Sequence, residues 1–305
     1  MDDIQKRLLL EIAGLHGIPE GAYNIRSDSQ SVGRASTENI EIVPKEDKDG
    51  IDIIIKPGTK NEAVHIPVII AKAGIKENVY NDFFIGENAE VTIVAGCGIH
   101  CGGDDGAEHD GVHSFHLARG ARVKYIERHY GEGDGCVSRV MNPTTEVELG
   151  EDAYLEMETT QIKGIDSTRR ITKATCGKGA TFIVREKLMT HGTQTAETDF
   201  QVALDGEGAS SNVISRSVAR DSSRQLFQAR IYGNNRCHGH SECDAIIMDD
   251  AKISAIPEIK ANHLEANLVH EAAIGKIAGE QLTKLMTLGL TEKEAENQII
   301  NGFLK

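Results

Sequence analysis

Two stretches of this chain gather the side-chain types that bind metals. The first is Ser241-Glu242-Cys243-Asp244, followed by Ile256-Pro257-Glu258-Ile259 and then His270-Glu271-Ala272. A thiol, an imidazole and a carboxylate brought together in this way suit holding or handing over a soft metal centre better than hydrolysis. Cys237 and His240 lie close enough in sequence to Cys243 to be candidate ligands of the same site. The second stretch is Cys97-Gly98-Ile99-His100-Cys101-Gly102-Gly103-Asp104-Asp105, followed by His109, His113 and His116. If residues 91–101 form a strand, Cys97 and Cys101 share one face while His100 points away, so one metal ion has two thiols available. Each residue also has a plainer role. Cys243 suits a strand core, His270 suits a helix start, and Glu271 is a carboxylate favoured near a helix N-terminus. Residues 97–116 also suit a polar surface loop.

The remaining chemistry narrows by exclusion. The sequence carries no Gly-rich loop ending in Lys-Ser/Thr, so nucleotide chemistry has to come from a partner. It has no Gly-x-Ser-x-Gly either, which leaves a hydrolase nucleophile elbow unsupported. None of the six cysteines forms a Cys-x-x-Cys pair, which argues against an ordinary structural zinc site. The formal charge of −14, from 33 basic and 47 acidic residues, gives no electrostatic footprint for nucleic acid or for an anionic membrane surface. The start Met1-Asp2-Asp3-Ile4 has acids where a signal peptide needs bases, and no run approaches the ~20 apolar residues of a membrane span. The expected setting is the cytoplasm, with the cysteines reduced.

These residues have to be positioned by regular elements. Residues 2–16 read as a short amphipathic helix, with Leu8, Leu9, Ile12 and Leu15 on one side and Gly17, Pro19 and Gly21 ending it. From about residue 37 short apolar or alternating runs recur, such as Ile51-Asp52-Ile53-Ile54-Ile55 and Val123-Lys124-Tyr125-Ile126. A Gly, an Ala and a hydrophobe two positions later repeat at Gly86/Ala89/Val91, Gly120/Ala121/Val123, Gly150/Ala153/Leu155 and Gly179/Ala180/Phe182. Looser copies follow at Gly208/Ala209 and Asp250/Ala251/Ile253. Turn–strand units repeating with no helix between them predict a β-solenoid, with a β-sandwich as the competing arrangement. With aromatics at 4%, a carbohydrate-cleaving β-helix enzyme is a disfavoured alternative; a non-catalytic metal-binding interaction protein is another.

After residue 262 the pattern turns helical. His270 to Leu288 carries apolar residues at helical spacing, with Gly289 as a stop. Thr291-Glu292-Lys293-Glu294 is a capping-box start for a second helix. The expected organisation is an N-terminal helix over 1–20, a β-helix core over 37–262 and a helical segment over 263–305. Two helices at the end of a solenoid would cap its last coil or dock a protein.

The segment Cys243-Asp244, Pro257-Glu258, His270-Glu271-Ala272, Gly275-Lys276-Ile277 and Gln281-Leu282 resembles the C-terminal core of the SufB/SufD family. Gly289-Leu290-Thr291-Glu292, Glu294-Ala295, Ile299-Ile300 and Gly302-Phe303 resemble the same family. Its members are scaffold subunits of the SUF iron–sulfur cluster assembly machinery. The resemblance implies a right-handed parallel β-helix with helical ends and a scaffold that is not itself a catalyst. It implies that Cys243 and Glu271 take part in building a transient iron–sulfur cluster, with His270 at a position important in SufD-type members. It also implies that residues 272–303 dock a SufC-like ABC ATPase. The short N-terminal region departs from many members, and a short SufB-like chain is expected to form a homodimer or to pair with a SufB/SufD paralogue.

Overall fold

The computed structural model describes residues 1–103, 105–133 and 138–305. Among them are an N-terminal helix α1 (Asp3–Ala13), twenty strands, and two C-terminal helices α2 (Gly279–Thr287) and α3 (Glu292–Phe303). The strands form two ten-stranded sheets, and from Gly50 onward they alternate between them, except that Arg139–Met141 and Thr144–Leu149 follow each other in the same sheet. Each coil contributes one strand to each sheet and pairs in parallel with the equivalent strands above and below. The result is a β-solenoid of about eight coils, as the repeats predict.

The Gly/Ala signature has a definite physical origin. Ala89, Ala121, Ala153, Ala180 and Ala209 are buried one above another where the chain enters the first sheet. The carbonyl of each accepts a hydrogen bond from the residue after the next member of the column, as in Arg122 N to Ala89 O at 2.8 Å and Tyr154 N to Ala121 O at 2.8 Å. Strand register continues this column through Cys237 and Ala266. Only a small side chain fits where one coil turns directly over another. The copy read at Ala251 belongs elsewhere, since Lys252 N bonds to Ser223 O at the entrance to the other sheet. Gly120 and Gly179 adopt φ of +66° and +64°, and a Cβ on either would meet the side-chain oxygen of Asn88 or Asp152.

The helix α1 begins with the capping box of Asp2 and Gln5 and lays Leu8, Leu9 and Ile12 on the outer face of the first sheet. Gly96 and Gly98 make that approach possible, because a Cβ on Gly98 would lie 3.1 Å from the Leu8 Cβ. The glycines near Cys97 therefore seat a helix instead of loosening a loop. Arg7 fixes the helix by pairing with Glu132 at 2.5 Å, which also meets His100 Nδ1 at 3.2 Å.

The C-terminal end differs from expectation. Strand structure continues over Lys252–Ala261 and Ala266–Gly275, so the helical segment expected from residue 263 begins only at Gly279. The alanines of 272–273 and the apolar residues around them satisfy either period, and pairing with the strand Cys237–Ile247 decides for strand. The capping box of Thr291 and Glu294 starts α3 as predicted. The helices do not cap the last coil. Instead Ile300 of α3 and Leu304 just after it pack on Val218, Met189, Ile246 and Met248, at the trailing ends of the first-sheet strands. The strands Lys252–Ala261 and Ala266–Gly275 are thus the free edges of their sheets, with Ile256, Ile259, Val269 and Ile274 exposed. No helix is long and apolar enough to cross a membrane among the described residues.

Inside the solenoid, apolar and polar side chains separate into two lanes along its axis. Leu155, Phe182, Phe200, Leu204, Phe227 and Ile231 belong to a continuous apolar core. Beside it, where the first-sheet strands end, lie Glu77, His109, His113, Glu127, His129, Arg170, Glu186, Thr198 and Ser215, all buried. Arg170 is the charge centre of this lane, with Nη1 at 2.5 Å from Glu127 Oε2 and Nε at 3.9 Å from Glu186 Oε1. Burial alone would raise the Glu127 carboxyl, but Arg170 and His129 hold it well below its usual range. Burial dominates at the more distant Glu186 and raises it.

A depressed carboxylate stabilises the fold above its unfolded pKa of about 4.3, and that stabilisation is lost as pH falls through the lower folded value. Arg170→Met strands Glu127 as an unpaired buried charge and should cost about 3–5 kcal/mol near neutral pH. Urea unfolding at pH 7 and at pH 4 checks this, with the gap between variant and parent narrowing at the lower pH. An equal loss at both would assign the effect to packing.

Candidate functional site

The residues singled out near the C-terminus lie on the last two strands of the first sheet, Cys237–Ile247 and Ala266–Gly275. The two strands pair in parallel with Ser241 opposite His270, Glu242 opposite Glu271 and Cys243 opposite Ala272. Alternation along a strand then assigns the faces. Cys237, Gly239, Ser241 and Cys243 point into the solenoid, and His238, His240, Glu242 and Asp244 point out. His270 follows Ser241 inward, and Glu271 follows Glu242 outward. Cys243 and His270 are therefore neighbours on the inner face, while Glu271 stands on the opposite side of the sheet.

Cys243 is 1% exposed and belongs to the apolar core. Burial first, then Glu186 and Asp244, push its thiol up to about 12, so it is protonated at neutral pH. A metal bound there has to displace that proton. Nδ1 of His270 and Oγ of Ser241 are buried without a hydrogen-bond partner. Two orphaned polar atoms in register, one step from a thiol and beside a free strand edge, are groups an incoming ligand or partner would satisfy. Burial, and after it His240, lower the His270 pKa, keeping the ring neutral and able to donate a lone pair.

On the outer face His240, Glu242 and Glu271 each offer one ligand atom, all within 4.8 Å of one another. His240 Nε2 lies 3.8 Å from Glu271 Oε2, and its Nδ1 lies 2.9 Å from Asn212 Oδ1. Burial and the adjacent Asp244 raise the Glu242 carboxyl. Sequence reasoning named His240 and Glu271 as ligands, quoted Glu242 without giving it a role, and missed Asn212. Strand parity, applied through residue 271, would have put His240, Glu242 and Glu271 together.

Cys237 sits in the alanine column, six residues before Cys243 on the same strand and about 20 Å away at 3.3 Å per residue. The structure does not bring it to Cys243. In the other stretch Cys97 and Cys101 are buried, as expected of one face, and His100 turns outward to Glu132. Cys101 is disulfide-bonded, against the expectation of reduced cysteines; Cys97, Cys176, Cys237 and Cys243 are free. Cys136 and Asp104 lie outside the described residues. His109, His113 and His116 lie on the strand Ala107–Leu117, not on a loop, with the first two inside and His116 outside against Glu148. Cys97, His109, His113, Glu127 and His129 line a small cavity of about 20 Å³. Nδ1 of His109 bonds Glu77 at 3.0 Å and Nδ1 of His113 bonds the Tyr125 hydroxyl at 2.7 Å. Burial pushes Cys97 up, as do Glu77 and Glu127, and takes His113 down to about 4.

Residues 78–303 match the family model described as SUF system FeS cluster assembly, SufBD core domain. An iron–sulfur cluster assembly SufBD family protein of Methanothermobacter thermautotrophicus strain Delta H is 31% identical over 263 residues, covering 84% of this chain and 62% of its own length. A homologue from strain Winter is 29% identical over 242 residues, covering 78% of this chain and 57% of its own. The chain thus spans about three fifths of those two relatives. A SufBD family protein of Methanocaldococcus jannaschii is 27% identical over 295 residues, covering 95% of this chain and 92% of its own.

Burial and protonation of Cys243 make its reactivity testable. Iodoacetamide at pH 8 should leave Cys243 of the native chain unmodified over a time in which the urea-unfolded chain reacts fully, read by peptide mass spectrometry. Rapid labelling of native protein would mean that the last coil opens freely.

Proposed function

This chain belongs to the SufBD family of SUF-system iron–sulfur cluster assembly proteins, and from that premise we propose that it is a scaffold on which a nascent cluster is built and then released. The observation that carries the reading is the placement of a buried thiol, Cys243, on the same inner face as the partnerless His270 Nδ1, diagonally across the last two strands of the first sheet. Iron accepts thiolate, imidazole and carboxylate as terminal ligands, and a mixed set with few thiolates holds a cluster less tightly than four cysteines. Lability suits a scaffold, because its cargo must leave. Loading iron at Cys243 releases a thiol proton, so binding strengthens as pH rises. The cluster is cargo here, and no catalytic role is assigned to the chain.

The same proposal assigns partners. The free strand Ala266–Gly275 presents unpaired backbone groups and exposed Val269 and Ile274. Antiparallel pairing with the same strand of a second copy or a paralogue would bury that edge and place two sets of Cys243, His270 and Glu271 near one interface. The helix α2 has no buried residue and exposes Met286, with exposed Leu288 just after it, which makes α2 and α3 the proposed dock for an ABC-type ATPase. The setting is proposed to be cytoplasmic.

Anaerobic reconstitution with iron and sulfide tests the site. Cys243→Ala and Glu271→Ala should each lower visible cluster absorption at least several-fold while circular dichroism keeps its β signature. Undiminished absorption in both variants sinks the assignment.

Deleting residues 279–305 should abolish copurification with the ATPase subunit encoded in the same cell and leave the solenoid folded. An intact complex would place the dock elsewhere. Light scattering of the full chain should give a dimer, and a monomer at all concentrations would remove the homodimer.

A further inference from the structure

The outward cluster on the final strands is separate from the inward thiol, and its arrangement is that of a built site. His240, Glu242 and Glu271 come from two adjacent strands whose register is fixed by a continuous ladder. Their donor atoms already lie within 4.8 Å of one another, so a single ion can reach all three with small side-chain adjustments. Among the described residues this is the one group of three metal-binding side chains so closely gathered. His240 is half-buried and Glu271 is exposed, which leaves a solvent path to the ion.

The imidazole is also prepared for a metal. Nδ1 of His240 lies 2.9 Å from Asn212 Oδ1, an oxygen that can only accept, so Nδ1 carries the proton and Nε2 keeps its lone pair. Asn212 is the register neighbour of His240 on the next strand, held by the same ladder. An outer partner that fixes tautomer and ring orientation in this way is the usual companion of a metal-binding histidine. Nε2 is then aimed at Glu271, 3.8 Å away. Asp244 adds a further carboxylate on the same face, with Arg216 in register beside it.

We propose that His240 Nε2, Glu242 and Glu271 bind one divalent first-row transition-metal ion on the outer face of the sheet, with Asn212 as the positioning residue. One imidazole and two carboxylates suit ferrous iron, manganese, cobalt or zinc, and disfavour a soft ion such as cuprous copper. The site stands on its own geometry. Its use as the point where ferrous iron waits before reaching the inner face rests on the scaffold reading above.

Cobalt(II) is the probe, since it reports its ligands through visible absorption. The full-length chain should bind one equivalent with d–d bands and no thiolate-to-cobalt charge transfer, and Cys243→Ala should bind equally well. Asn212→Ala should weaken binding roughly 10- to 100-fold with an unchanged spectrum at saturation, and Asn212→Asp should restore it. H240A and E242Q should lose affinity beyond that range while retaining the parent circular dichroism. Binding that survives both substitutions, that disappears in Cys243→Ala, or that carries a thiolate band overturns the site. Iron–sulfide reconstitution of H240A separates the two readings: cluster formation without cobalt binding leaves the scaffold standing and removes the waiting role.

Discussion

The structure depends on one constraint, the parallel in-register hydrogen-bond ladder that joins each coil to the next. Over Thr181–Thr190 and Ser210–Ala219 ten consecutive residues pair without a slip, and the ladder then continues from Ser210–Ala219 into Cys237–Ile247. A ladder of this kind leaves no freedom in which face a side chain occupies, because one residue of slip would turn every inward group outward. The alanine column, the polar lane and the division between Cys243 and Glu271 all follow from it. Cys243 is buried because it is an odd-numbered step on a strand whose odd positions point inward; Glu242, one step away, faces outward, and so does Glu271, opposite it in the ladder.

The ladder must also stop at both ends, and the two ends stop differently. At the start the strands Gln30–Ala35 and Ile40–Pro44 pair antiparallel with their neighbours, breaking the stacking direction. At the other end Lys252–Ala261 and Ala266–Gly275 simply remain open, and the helices that might have covered them pack to one side. An open edge with exposed Ile256, Ile259, Val269 and Ile274 is costly in water and prone to pairing with another chain. Cys243, His270 and the outward group of His240, Glu242 and Glu271 all lie on this same open end.

Much of this was legible in the sequence. The glycine and alanine repeat pointed to a solenoid because stacking coils demand a small residue at each turn, and Ala89 through Ala209 supply it. The capping box of the last helix was visible because it rests on side chains three residues apart; that of the first, Asp2 with Gln5, has the same spacing and was not read. The helix expected from His270 was not correct, since Ala272, Ala273 and Ile277 fit a helical period and only the unseen partner strand overrides it. That error hid the outer site, because a helix offers no parity by which Glu242 and Glu271 share a face. The glycines around Cys97 misled in the same way: their cause is the contact with α1, more than eighty residues away in sequence.

Within the scaffold proposal, the geometry specifies how the two ends of one strand are related. Ile246, which supports α3, is three residues from Cys243 on the strand Cys237–Ile247. Val218 and Met189, which also support α3, end the neighbouring strands that carry Ser215 and Glu186, and those two side chains bond each other at 2.7 Å. Glu186 in turn raises the Cys243 thiol. A displacement of α3 therefore acts on the trailing ends of three laddered strands whose middles hold the thiol and its charged neighbours. Close-packed strands pass a shift along their length, because neither the ladder nor the core has slack to absorb it. The packing of α3 on Ile246, Val218 and Met189 therefore joins it through continuous strands to the surroundings of the thiol.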